Sequence, residues 1–80
     1  MTQYFFDFRS GDVLSMDDQG QELPHMQAAH DEAVEALADA LQDIFTQGCV
    51  EQLVAIDVRD GFGPVFEVTA ILGSKILRKQ

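Results

Sequence analysis

The sequence is short of cysteine, of positive charge and of long oily runs, and each shortage removes a class of protein. Cys49 is the single cysteine, so no internal disulfide can staple the chain and no paired Cys-x-x-Cys zinc motif can form. A reducing, cytoplasmic setting is the expectation. No stretch approaches the roughly 20 apolar residues that cross a bilayer, and the opening MTQYFF has neither the basic nor the apolar region of an export signal. No membrane partner is expected.

Lysine and arginine number 5 against 14 acids, for a net charge of -9, which disfavours nucleic acid as a direct partner. Lys75, Arg78 and Lys79 lie within the last six positions, leaving the body near -12 and a short basic tail, residues 74–80, near +3. Residues 1–73 make one domain, because an 80-residue chain cannot build two cores that each offset the entropy of ordering.

What is present is a change of hydrophobic period. Tyr4 to Arg9 alternates, with Tyr4, Phe6 and Phe8 on one face, and Ser10-Gly11-Asp12 has the chemistry of a turn into a short return strand, Val13 to Met16. Asp17-Asp18-Gln19-Gly20 reads as a polar loop. From Pro24 to Gln47 the steps become three and four, through Met26, Ala29, Ala33, Leu37, Ala40, Leu41 and Ile44, which predicts an amphipathic helix with Pro24 in its first turn and Gly48 past its end. Glu51 to Arg59 and Pro64 to Leu72 alternate again around an Asp60-Gly61-Phe62-Gly63 turn. The order is ββαββ: an α+β fold, two hairpins in one antiparallel sheet with a long helix on one face.

A helix covers one face only. The core beneath it is expected to hold Tyr4, Phe6, Phe8, Val54, Ile56, Val58, Phe66, Val68, Ala70 and Leu72. The open face then carries Phe5, Leu53, Ala55, Val65 and Ile71 among Asp7, Arg9, Asp57, Arg59, Glu67 and Thr69, greasier than a solvated sheet usually is. That surplus points to a homodimer by sheet stacking or edge pairing; scattered apolar residues on a monomer are the plain alternative. Along the helix, Asp31, Glu35, Asp39 and Asp43 repeat at four-residue spacing with no lysine or arginine on the helix. Such a ridge repels itself, and it reads either as a solubilising surface or as a contact for a basic protein.

The chemistry-bearing residues form no catalytic set. Asp17, Asp18 and Glu22 around Gly20 miss the calcium-loop spacing, His25 and His30 do not share a helical face as a metal pair would, and Cys49 sits where a helix end disfavours a thiolate. Gly61 and Gly63 join two strands, not a strand and a helix as a phosphate loop would. No cofactor, metal or enzymatic activity is expected, and a small-ligand or metal-binding module is the reading that competes with an interaction domain. Asp7 with Arg9, and Asp57 with Arg59, suggest cross-strand ion pairs.

The opening Tyr4-Phe5-Phe6-Asp7-Phe8-Arg9 with Gly11-Asp12, then Asp18-x-Gly20-x-Glu22-Leu23-Pro24, the Ala28-Ala29 and Glu32-Ala33 pairs, and Val58-Arg59-Asp60 before a glycine turn and Pro64-Val65 resemble a family of short bacterial proteins known only as a domain of unknown function. The resemblance spans residues 3–72 and implies no activity, substrate or site residue. In that family an aspartate often stands at the position of His25, where it would cap the helix better than histidine. A looser likeness, in layout and not in motif, is to HicB-type antitoxins, small dimer-forming domains that neutralise a partner toxin.

Overall fold

The computed structural model describes residues 1–46 and 51–73. Gly48, Cys49 and the basic tail lie outside them. Within them the chain runs β1 (Thr2–Ser10), β2 (Val13–Ser15), β3 (Gln21–Leu23), α1 (Met26–Thr46), β4 (Glu51–Asp60) and β5 (Gly63–Gly73). This is the α+β layout that the change of period implies. The sheet has the order β2-β1-β4-β5, every pair antiparallel, and β3 pairs with the start of β1.

β3 is a strand that the polar character of its residues conceals. β2 takes one end of β1, from Phe8↔Ser15 to Ser10↔Val13, and β3 takes the other, from Thr2↔Leu23 to Tyr4↔Gln21. The chain between them closes on the middle of β1 through Asp17, whose carboxylate accepts the Phe6 N–H at 3.1 Å. Asp17 thereby stands in for a missing stretch of strand. β3 and β4 both run antiparallel to β1, so the helix between them joins two mutually parallel strands, one strand apart.

Ala29, Ala33 and Leu37 are the buried residues of α1, and they meet Tyr4, Val54, Ile56 and Val58 in the core. Phe6, Phe8, Phe66, Val68 and Ala70 pack around that centre as expected. The helix starts two residues later than Pro24. The His25 ring is the reason: its Nδ1 accepts the Ala28 N–H at 3.1 Å, placing His25 at the cap and Pro24 outside. Met26 is consequently 55 % exposed and not part of the buried stripe. Gly63 belongs to β5, where it pairs with Asp60, while the turn is closed by Asp60 Oδ1 accepting the Phe62 N–H at 2.8 Å. Leu72 is only half-buried and lies outside the core cluster.

Two substitutions test this description. Gly20 has φ 73, and an added Cβ would lie 2.9 Å from Phe5 Cε1 and 3.0 Å from Gln3 Cγ. Gly20→Ala is therefore expected to lower the urea unfolding free energy by about 2 kcal/mol, from a left-handed backbone and a crowded Phe5. His25→Asp should raise it by roughly 0.5–1 kcal/mol, because a carboxylate caps better than an imidazole and favours the positive helix end. A loss of stability in His25→Asp would show that the ring does more than cap.

Candidate functional site

The open face of the sheet gathers most of the structured ionic chemistry of the chain. The register sets Asp7 opposite Asp57, and Asp57 opposite Glu67, a row of three carboxylates across β1, β4 and β5. Like charges directly opposite destabilise a sheet. Two arginines reaching diagonally offset this. Arg9 donates to Asp57 at 3.3 Å and to Glu67 at 2.8 Å, and Arg59 donates to Asp7 at 2.8 Å. The spacing of Asp7 with Arg9, and of Asp57 with Arg59, anticipated these cross-strand pairs.

Arg59 does more than neutralise Asp7. Its Nη2 donates to the Asp17 carbonyl at 2.7 Å, and its guanidinium lies 4.4 Å from the centre of the Phe5 ring, a cation–π stack. The Asp17 N–H donates in turn to Asp7 Oδ1 at 2.9 Å. Asp7 is 5 % exposed, the one buried charged residue in the described part of the chain, and both partners of its carboxylate come from elsewhere in this knot. Asp17 Oδ1 accepts the N–H groups of Gln19 and Gly20, each at 3.1 Å.

Protonation follows from these contacts. Burial opposes ionisation of Asp17, but the N–H groups of Phe6, Gly20 and Gln19 and the charge of Arg59 outweigh it, and the net pKa is lowered. The Asp57 and Glu67 carboxylates stand opposite one another, and Arg9 donates to both. Interaction with Glu67, aided by Arg9, lowers Asp57 against its burial, while interaction with Asp57, burial and the Asp57 charge raise Glu67. Hydrogen bonding to Asp57, followed by its charge, raises Arg9.

Around this network lies a concavity of about 530 Å³ lined by Asp7, Asp57, Arg59, Pro64, Val65 and Glu67 among others. A bulge shapes it: Val58 pairs with Phe66 and Arg59 with Pro64, so Val65 is the extra residue and the strand bends there. Among the described residues no set of three His, Cys, Asp or Glu is arranged to hold a metal ion. The histidines are apart, His25 at the cap and His30 against Phe66, ring centres 5.6 Å apart.

The apolar residues expected on this face fare differently. Leu53 and Ile71 are cross-strand partners and stand 46 % and 76 % exposed. Ala55 is only 1 % exposed, because its short side chain sits between the longer Arg9 and Thr69 on either side. Phe5 is half-buried beneath Arg59, and Val65 packs against the core cluster. Asp31, Glu35, Asp39 and Asp43 are all exposed along the helix. The loop reading of residues 17–20 missed Asp17, yet Asp-x-x-Gly is the signature of a side chain that bonds the backbone two and three residues on.

A family described as a domain of unknown function, DUF6894, matches residues 3–71. The chain belongs to the DUF6894 family. The resemblance seen in the Tyr4–Arg9 opening and the residues before the helix is thus to its own family, and the match covers nearly all of β1 to β5. No curated protein and no solved structure matches this DUF6894 chain, and the looser likeness to HicB-type antitoxins gains no support from the family match. No helix among the described residues is long and apolar enough to cross a membrane.

Asp17→Asn tests the knot. The Asn amide keeps one acceptor for the N–H groups of Phe6, Gln19 and Gly20 and loses the charge facing Arg59, an expected cost of about 1.5–3 kcal/mol at pH 7. Because the folded pKa of Asp17 lies below its unfolded value near 3.9, its contribution is present above that value and fades as pH falls through the folded pKa. The gap between the two proteins in urea denaturation should therefore narrow below about pH 4; a gap that holds constant to pH 2 would exclude the charge as its source.

Proposed function

We propose that this chain is a small, acidic, non-enzymatic protein-interaction domain that works as a homodimer joined through its sheet. One observation carries the reading: Ile71, on the outermost strand, is 76 % exposed beside Leu53 at 46 %, two branched apolar side chains paired on a sheet that has no second layer over them among the described residues. A hydrophobic pair in that position favours contact with another surface.

The charged centre supports an interaction role over a catalytic one. Each carboxylate of the network already accepts from an arginine or from backbone N–H groups, which leaves no isolated base poised over the concavity. On the other side of the molecule, the exposed acids of α1 are suited to a basic protein as a further partner, at a surface whose attraction salt would weaken. A cytoplasmic location fits the same reading.

Sedimentation equilibrium of the full chain decides the homodimer. The expected outcome is a monomer–dimer equilibrium with Kd in the micromolar range or below, and a single monomeric species at several hundred micromolar would refute it.

A further inference from the structure

We propose that β5 pairs antiparallel with β5 of a second copy in a register centred on Val68, making one continuous sheet. The proposal rests on the homodimer reading and names its contact. β5 ends the sheet, with β4 on one side and, among the described residues, no strand on the other. It is 11 residues long, GPVFEVTAILG, with its proline confined to the second position and Glu67 its only charge. Natural edges are usually guarded by brevity, charge, proline, a bulge or cover; Pro64 and the bulge at Val65 guard one end of β5, and from Phe66 to Gly73 Glu67 is the one such device among the described residues.

The hydrogen-bond phase is fixed by the interior of the sheet. The Phe6 N–H goes to Asp17 and not to β4. Backbone groups along an antiparallel strand alternate between its two neighbours, so Phe6 and its partner Val58 are a non-bonded pair and Val58 turns its N–H and C=O toward Phe66 on β5. Val68 and Ala70 follow Phe66, and Glu67, Thr69 and Ile71 point theirs at the free edge. A partner strand must meet those three.

The side chains choose among the registers this allows. Centred on Val68, Val68 faces its own copy, Phe66 faces Ala70, and Glu67 faces Thr69, whose hydroxyl can donate to the carboxylate. Centred on Thr69, Glu67 would face Ile71 and set a carboxylate against a branched apolar chain. The first register is self-complementary, as a two-fold contact requires, and keeps the two copies of Glu67 from meeting.

The helix agrees. His30, stacked on Phe66 of β5, marks the flank of α1 that looks toward this edge. At 3.6 residues per turn, Val34 and Phe45 share that flank while Asp39 and Asp43 occupy the other. Val34 is 46 % and Phe45 61 % exposed. Antiparallel edge pairing places both helices on the same side of the joined sheet, their apolar flanks toward the seam and the acids of the far flank away from it.

Thr69→Pro removes an outward N–H while leaving the bonds to β4, and Thr69→Glu sets a new carboxylate against Glu67 of the second copy. Each is compared with the wild-type full chain by sedimentation equilibrium, with circular dichroism reporting the helix. Edge pairing predicts a folded protein whose dimer is at least tenfold weaker in both, and an unchanged dimer in Leu14→Lys, which alters the same open face at the opposite edge of the sheet. Should Thr69→Pro fail to fold, Thr69→Glu decides. A wild-type dimer that persists within threefold in Thr69→Glu, or that is lost in Leu14→Lys instead, overturns edge pairing and leaves the homodimer standing; a monomeric wild type overturns both.

Discussion

The contact on which the rest of the molecule depends is the bond of Arg59 to Asp7, 2.8 Å long and a third exposed on the arginine side. Asp7 is a buried carboxylate, and one that loses its counter-charge costs several kcal/mol. Arg59 satisfies it and, with the same guanidinium, holds the Asp17 carbonyl and covers Phe5. Asp17 ties the interrupted strand pair β2 and β3 to the middle of β1. The chain leaves β3 through Pro24 into the His25 cap, so the position of α1 over the sheet descends from that ionic knot through a few residues of backbone.

A row of three carboxylates across a sheet is a liability that this sequence converts into specificity of register. Were β1 to slip by one residue against β4, Asp7 and Arg9 would turn to the helix side and bring charge into the core. With the observed register each arginine finds a carboxylate on the diagonal, at the reach that a long side chain spans. The pairs on the exposed flank, Arg9 with Asp57 and Glu67, are half-solvated and contribute little individually. Their effect is to exclude the alternatives, while the bulk of the stabilisation comes from the apolar layer under α1.

That layer was legible in the sequence because it depends on periodicity. Alternation in Tyr4–Arg9 and Val54–Val58 and three-four spacing in Ala29–Leu37 each report one face of one element, and burial follows from the face. The diagonal ion pairs were legible for the same reason. What escaped was decided by contacts between distant residues. Gln21–Leu23 has no strand propensity to speak of and becomes β3 only because β1 has a free flank and Asp17 anchors the approach. Ala55 was expected to be exposed by its face and is buried by its size, since neighbours longer than it close over it. Val65 was placed by counting, and the bulge at Val58/Arg59 moved it. Whether a residue bulges or a small one is roofed over is not written in spacing.

The net charge of -9 bears on association as much as on solubility. Two such chains repel at long range, and contact is favoured only where the meeting surfaces carry little of that charge. Among the described residues, charge is segregated accordingly. One flank and the crest of α1 hold Asp31, Glu35, Asp39 and Asp43, the centre of the open face holds acids already matched to Arg9 and Arg59, and the outer stretch of β5 carries Glu67 alone, tied to Arg9. Among the described residues, the least charged border is therefore also the one with unpaired backbone and exposed Val34, Phe45 and Ile71. A sequence selected only to stay dissolved would have no reason to sort its acids away from that border, and a lysine or a second acid on β5 would have protected the edge at little cost to the core.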